Sequence, residues 1–311
     1  MNSELPLVSI VVPTFGRPKL LIRAINSILN QTYTNLEIIV VDDNNPNSPE
    51  RKETQLLLEE YLEDPRIRYT QMAKNSGGAI ARNKGVEVSN GCLVCFLDDD
   101  DEFLPNKLEL QVKKFIESED KLAVVGGFAN ILDENSKIKR VEKNQLKGSV
   151  FKNQLETNVC TTSIAMISKA IFLEAGGFSN VPSSQEHTLF IKIFAINPLY
   201  DYVEAPVVNI YHHDGARIST GTRKAEGAIL LYEYVQSFYK QLTAEEIKRI
   251  NSAHYINIIR AYMSIEKGRA EAFKYLSKLA HSKKYLDKEV FKYLLLVILG
   301  IKRIEKLKSY I

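Results

Sequence analysis

Gly91-Cys92-Leu93-Val94-Cys95-Phe96-Leu97-Asp98-Asp99-Asp100-Asp101 decides how the rest of the chain is read. A short apolar run rich in β-formers breaks off into four consecutive acids. The run, Cys92 to Leu97, has the length and composition of a fully buried strand. Open α/β sheets bind their ligands outside the carboxyl ends of the strands, where these acids stand. Four carboxylates this close repel one another at neutral pH and call for a counter-charge. A hard divalent cation with oxygen ligands is the simplest one. The competing reading is a solvated acidic turn, since acid runs usually belong to exposed surfaces.

Working outward, the same grammar recurs. Leu7 to Pro13 is an apolar run that stops where proline removes a backbone donor. Leu20, Leu21, Ala24, Ile25, Ile28 and Leu29 follow at helical spacing. Leu36 to Val41 is a second strand with Asp42-Asp43-Asn44-Asn45 at its end. Glu50 to Tyr61 reads as a helix, Ile67 to Tyr69 as a short strand, and Ser76 to Val88 as another helix. Strands alternating with helices of this length predict βαβ units and a largely parallel sheet. Two strands thus end in adjacent acids, which is harder to dismiss than either cluster alone.

Composition is that of a soluble globular protein, 45% apolar and 25% charged over 311 residues. A net charge of +3 is too small to argue for nucleic acid. Three cysteines argue against a disulfide framework, and Cys92 and Cys95 read as thiols within a strand. The start, Met1 to Pro6, lacks the basic region and apolar core of a secretory signal, so the expectation is a cytoplasmic chain.

Acids at two strand ends suit a nucleotide site, yet the usual phosphate cradles are missing. Thr14-Phe15-Gly16-Arg17 follows the first strand in place of G-x-G-x-x-G, and the chain has no G-x-x-x-x-G-K-[ST]. A cation held by the acids can bind a diphosphate instead and offset charge on a departing one.

Five short pieces carry a family resemblance: Pro13-Thr14-Phe15, Ser27-Ile28-Leu29-Asn30-Gln31-Thr32, Val41-Asp42-Asp43-Asn44, Ala81-Arg82-Asn83-x-Gly85 and Leu97-Asp98-x-Asp100-Asp101-x-x-x-Pro105. In this order they resemble the family 2 glycosyltransferases. The resemblance implies a GT-A fold, a Rossmann-like mixed, mainly parallel sheet flanked by helices, with a D-x-D metal motif. It implies that Asp43 reads the uracil ring beside Pro13 and Thr14, and that Arg82 lies near the nucleotide. Asp98 and Asp100 match the D-x-D pair for Mn²⁺ or Mg²⁺, with Asp98 also toward the ribose. Asp99 belongs to the nucleotide side and turns away from the metal. Asp101 is read as a cap for the helix beginning near Pro105.

Farther on, Leu108, Leu110, Val112 and Phe115 mark a helix and Leu122 to Phe128 a strand. Asp133 to Gly148 reads as a polar loop or hairpin, and Asn158 to Ile167 as a long strand. Gly176-Gly177-Phe178 closes a short helix. By the resemblance, Glu186 falls on the general-base position, with Lys192 on a basic position six residues later. A helix-start acid favoured by the macrodipole is the alternative for Glu186, and a base role for His187 a further one. Tyr200 to Val203 and Pro206 to Tyr211 read as two closing strands. The His212-His213 pair after them matches a family position near the diphosphate, which makes His213 a candidate metal ligand. Gly215, Gly221 and Gly227 suggest the hinges of a lid.

From Ala225 the pattern turns helical. The expected division is a nucleotide-sugar-binding catalytic domain over 1–224 and a helical region over 225–311. Tyr293 to Leu299 is too short to span a bilayer. Lys302, Arg303, Lys306 and Lys308 after it suit an anionic membrane surface, at the inner face of the plasma membrane, and equally suit a partner subunit or homo-oligomer.

Together these readings imply an inverting, metal-dependent enzyme that moves one sugar from a UDP-sugar to a hydroxyl of a glycan or lipid-linked acceptor. The setting would be bacterial capsule, O-antigen or exopolysaccharide synthesis. The absence of tryptophan excludes the Q-x-x-R-W motif of processive synthases. The alternative is a non-catalytic nucleotide-sugar-binding subunit.

Overall fold

The computed structural model describes residues 5–211, 221–282 and 287–299. The described residues fall into two compact units. The first takes those up to Gln154, Asn158–Asn180, and Thr188 to the end of the last strand. The second takes Leu155–Thr157, Val181–His187 and everything from Gly221 on.

The first unit is a mixed α/β sheet. In chain order it contains β1 (Val8–Thr14), α1 (Pro18–Leu29), β2 (Leu36–Asp42), α2 (Pro49–Leu58), β3 (Ile67–Gln71), α3 (Gly78–Glu87) and β4 (Leu93–Phe96). β5 (Glu102–Phe103), α4 (Lys107–Glu117), β6 (Val124–Leu132), β7 (Ile138–Glu142), β8 (Gly148–Ser149) and α5 (Phe151–Glu156) follow. β9 (Met166–Ser168), α6 (Lys169–Glu174), α7 (Gln185–Ile196) and β10 (Leu199–Tyr211) close the run, with α5 and α7 each shared between the two units.

Strand order is β3-β2-β1-β4-β9-β6-β10-β5, with β7 added on β6 and β8 on β10. β3, β2, β1 and β4 are parallel; β9 runs against β4 and β6; β10 is parallel to β6. Six strands therefore point one way, and β1, β2, β4 and β10 all end at the same edge of the sheet. β2 and β4 are buried along their whole length, as continuous apolar runs between two helical layers must be. α1 turns Leu21, Ala24, Ile25 and Ile28 into that core. Gly85 lets α3 lie directly on β1, where an added Cβ would stand 2.3 Å from Val11 Cγ1.

Several expectations need correction. Asn158 to Ile167 is not one long strand, and only Met166–Ser168 pairs. Upstream, the Asn158 amide donates to the Cys160 carbonyl at 2.8 Å, and Ile164 and Ala165 N–H close a turn onto the Thr161 carbonyl. Such local bonds compete with a ladder. The two closing strands are one, β10, with register shifts around Pro206, where the ring removes a ladder donor. Cys92 lies just outside β4 and is exposed, whereas Cys95 is buried and its thiol pushed up to about 11 by desolvation. The Asp133 to Gly148 stretch holds the expected hairpin, β6–β7.

The second unit is helical: α8 (Thr222–Gln236), α9 (Ala244–Met263), α10 (Arg269–Ser282) and α11 (Lys288–Leu299). α9 begins with a full capping box, Thr243 and Glu246 satisfying each other's backbone N–H. Ile259, Leu276, Leu279, Val290, Tyr293 and Val297 share one core. Gly227 is no hinge. It sits inside α8, where a Cβ would meet Ser183 Oγ at 2.1 Å, so close packing explains the glycine.

Candidate active site

The carboxyl edge of the sheet collects the ends of four strands. β1 contributes Thr14, β2 contributes Asp42 and Asp43, and β4 leads into Asp98 to Asp101. β10 ends at Tyr211, whose N–H donates to Asp101 Oδ1 at 3.2 Å. Each acid then meets different surroundings.

Asp42 is structural. It is fully buried, accepts from Tyr69 Oη at 2.5 Å, and pairs with the buried Arg51 guanidinium at 3.1 Å. Asp43 faces the next turn. Its two oxygens accept the Ser76 and Gly77 N–H groups at 2.8 Å, and Asn75 Nδ2 adds a bond at 3.2 Å. Burial raises its carboxyl despite those donors. Asp43 N–H in turn donates to the Thr14 carbonyl at 2.9 Å, which ties the ends of β1 and β2 together and leaves Pro13 one residue back on β1. Three of the residues assigned to the nucleotide, Pro13, Thr14 and Asp43, thus share one corner.

The four acids after β4 are unequal. One carboxylate oxygen each from Asp98, Asp100 and Asp101 lies within 4.8 Å of the others, while Asp99 is outside that cluster. Asp99 turns inward under β1, where it accepts from Thr14 Oγ1 at 2.8 Å and pairs with Arg17 at 2.7 Å. Burial pushes its carboxyl up to about 7, against the pull of Arg17 and Thr14. Asp101 is held well above the usual range by burial, then by Asp98 and Asp100. It does not cap α4, contrary to expectation. Ser163 Oγ donates to its Oδ2 at 3.1 Å, and the helix start is served by Gln31, whose Oε1 accepts Leu108 N–H at 3.1 Å. The Ser27 to Thr32 motif meets the acid segment a second time, where Ser27 Oγ accepts Phe103 N–H at 3.1 Å.

Two guanidiniums face the acids. Arg82 of α3 pairs with Asp98, 15% of its side chain exposed, so it is no surface arginine. Arg17, in the turn after β1, bridges Asp99 and Asp100. Burial pulls Arg17 down but Asp99, Asp100 and Asp98 outweigh it, so its charge is locked on. Two guanidiniums cannot offset four carboxylates, and burial together with mutual repulsion accordingly raises Asp99 and Asp101. Three hard oxygen donors with that deficit fit a divalent Mg²⁺ or Mn²⁺ ion.

Sequence reasoning missed Arg17 and Arg23. Arg23 of α1 grips the Asp100 carbonyl and stacks its guanidinium 3.8 Å over the Tyr211 ring. The available signal was an arginine directly after the strand-ending turn, opposite acids that need counter-charge. Tyr211 and Ser163 gave no signal, because their role is set by long-range packing.

Arg82 is placed by its neighbours. Asn83 Nδ2 donates to the Phe178 carbonyl at 2.9 Å and its Oδ1 accepts Phe178 N–H at 2.8 Å, fixing the Gly176-Gly177-Phe178 turn to α3. The Phe178 ring then lies 5.6 Å under the Arg82 guanidinium. Lys192 donates to the Gly177 carbonyl, so its amine serves the same turn. Glu186 lies in the first turn of α7, within the second unit. His187 follows it there; His212 and His213 lie outside the described residues.

Residues 9–175 match the family model described as Glycosyl transferase family 2. Among curated proteins, a putative colanic acid biosynthesis glycosyl transferase of Escherichia coli, WcaA, is 41% identical over 34% of this chain and 36% of its own length. A Campylobacter jejuni GalNAc(5)-diNAcBac-PP-undecaprenol beta-1,3-glucosyltransferase is 27% identical over 88% of both chains. The chain spans only 27% of a glycosyltransferase of Rickettsia bellii that is 33% identical to it over 192 residues. The fold resembles S. aureus TarS 1–349, solved with UDP-GlcNAc, at a TM-score of 0.60 and 16% identity, over 89% of this chain and 91% of that one.

Proposed function

Because the chain belongs to glycosyl transferase family 2, we propose that it is an inverting, metal-dependent enzyme that moves a single sugar from a UDP-sugar to an acceptor hydroxyl. The observation that carries the reading is the convergence of Asp98, Asp100 and Asp101 oxygens, short of positive charge, at the sheet edge that also presents Asp43 and Thr14. Pro13, Thr14 and Asp43 bind the uridine. Asp98 and Asp100, joined by Asp101, hold the divalent ion, which when bound stabilises charge growing on the departing diphosphate. Arg17 and Arg82 stand where a guanidinium can exchange a carboxylate for a phosphate oxygen. Glu186 accepts the acceptor hydroxyl's proton as that oxygen bonds to the anomeric carbon and the bond to the UDP oxygen breaks, with inversion.

The TarS complexes with UDP-GlcNAc and UDP support a uridine donor, the C. jejuni relative supports a lipid-linked acceptor, and the E. coli relative supports a setting in polysaccharide synthesis. α11 supports work at a membrane surface. Phe291, Leu295 and Ile298 are exposed along one face with Lys288 and Lys292 beside them. No helix among the described residues is long and apolar enough to cross a bilayer.

The test is a panel of nucleotide sugars with Mn²⁺ or Mg²⁺, reading UDP release and transfer. Transfer from a UDP-sugar that stops with EDTA, and a Glu186→Gln enzyme that binds UDP but does not transfer, are expected. EDTA-insensitive transfer removes the metal, and wild-type turnover in Glu186→Gln removes the base.

A further inference from the structure

Lys107 is the anomaly of the first unit. Its side chain is fully buried on the first turn of α4, and among the described residues no carboxylate pairs with it. A buried ammonium is costly unless dipoles replace its water, and an apolar residue would pack there at lower cost. Here the replacements are specific. Nζ donates to the Ile164 carbonyl at 2.6 Å and to Gln111 Oε1 at 2.9 Å, and lies 4.6 Å over the Phe103 ring.

Gln111, one turn along the same helix, converges on the same carbonyl. Its Nε2 is 2.8 Å from Ile164 O and also reaches the Val125 and Gly126 carbonyls of β6 at 3.0 and 3.1 Å. Two buried side chains thus hold one carbonyl of a short turn. The neighbour of Ile164 explains the investment. Ser163, itself buried, donates to Asp101 Oδ2, while Tyr211 N–H fixes the other oxygen. Phe103, under the ammonium, is two residues past Asp101. The lysine thus touches the turn that carries Ser163 and, at Phe103, the segment just past the buried acid.

We infer that Lys107 and Gln111 are positioning residues for the acid cluster: gripping the Ile164 carbonyl, they aim Ser163 at Asp101 and so hold its carboxylate toward Asp98 and Asp100. The inference rests on the reading of that cluster as a divalent-metal site. Groups that orient a ligand typically change metal affinity by about 10- to 100-fold when removed. The nearer link, Ser163, touches Asp101 directly, whereas Lys107 acts through the turn.

The experiment is a titration of the purified full chain with Mn²⁺, reading free ion by electron paramagnetic resonance, alongside thermal unfolding. Ser163→Ala should raise the Mn²⁺ Kd by about 10-fold with little change in Tm. Lys107→Met should raise it in the same direction, whatever it does to Tm. If both variants are folded and bind Mn²⁺ with the wild-type Kd, the inference is overturned and Lys107 serves the core alone. Should Lys107→Met fail to fold, Gln111→Met, which removes the second grip on the Ile164 carbonyl, should raise the Mn²⁺ Kd in its place, and a wild-type Kd in a folded Gln111→Met overturns the inference. A wild-type chain that binds no Mn²⁺ defeats the metal reading itself, a result distinct from unchanged variants of a chain that does bind.

Discussion

Replacing Gly177 by alanine tests how the Gly176-Gly177-Phe178 turn supports the site. Gly177 has φ +63°, a left-handed conformation that costs an L-residue about 1–2 kcal/mol. Its added Cβ would also stand 2.5 Å from Asn83 Oδ1 and 3.2 Å from Phe172 Cε1. Asn83 must move, losing both bonds to Phe178, at about 1 kcal/mol each. The expected loss is about 3–4 kcal/mol of unfolding free energy. Gly176 is the control, with φ +72° and nothing within 4 Å of an added Cβ. Gly176→Ala should cost only the backbone term, about 1–2 kcal/mol. Equilibrium urea unfolding measures both, with unchanged m-values confirming that stability alone has moved. The same displacement loosens the Phe178 ring beneath Arg82, so Gly177→Ala should raise the donor KM and Gly176→Ala should not. Equal costs for the two alanines, or an unchanged donor KM in Gly177→Ala, would refute the clamp.

Other perturbations separate the acids, the buried lysine and the exposed helix. Asp99→Asn should weaken folding through its lost pair with Arg17 while leaving Mn²⁺ affinity within about threefold, whereas Asp100→Asn should lower that affinity by about 10-fold or more. Desolvation holds the Lys107 amine down at about 8, below its unfolded value of about 10.4. Below pH 8 both states are protonated and the group adds no slope. Between pH 8 and 10.4 the unfolded chain binds more protons, so wild-type stability should rise relative to Lys107→Met by on the order of 3 kcal/mol in urea titrations. Phe291→Asp with Ile298→Asp should abolish co-sedimentation with phosphatidylglycerol vesicles and leave the rate on a soluble acceptor unchanged; retained sedimentation would exclude that face of α11.

Most of the sheet was legible in the sequence, because its strands are buried on both faces and leave unbroken apolar runs. Asn158 to Ile167 misled for a physical reason. An apolar run says that a segment is buried, not that its backbone pairs, and the Asn158 amide and the Thr161 carbonyl claim the partners a ladder would use. The expected break after Val203 misled in reverse, since a bulge around Pro206 bends a strand without ending it.

What the sequence determined by itself is the acidic run after a buried strand, its echo at Asp42-Asp43, and the family order of the five motifs. Those follow from local composition and from the sheet's parallel wiring, which brings strand ends to one edge. Tertiary structure decided which partner each of the four acids takes, and moved Asp101 from the expected helix cap into the cluster with Asp98 and Asp100. Asp99 goes under β1 to Thr14 and Arg17, Asp101 is held by Ser163 and Tyr211, and Asp98 meets Arg82. Those partners come from 16 to 110 residues away, so they are set only when the chain folds.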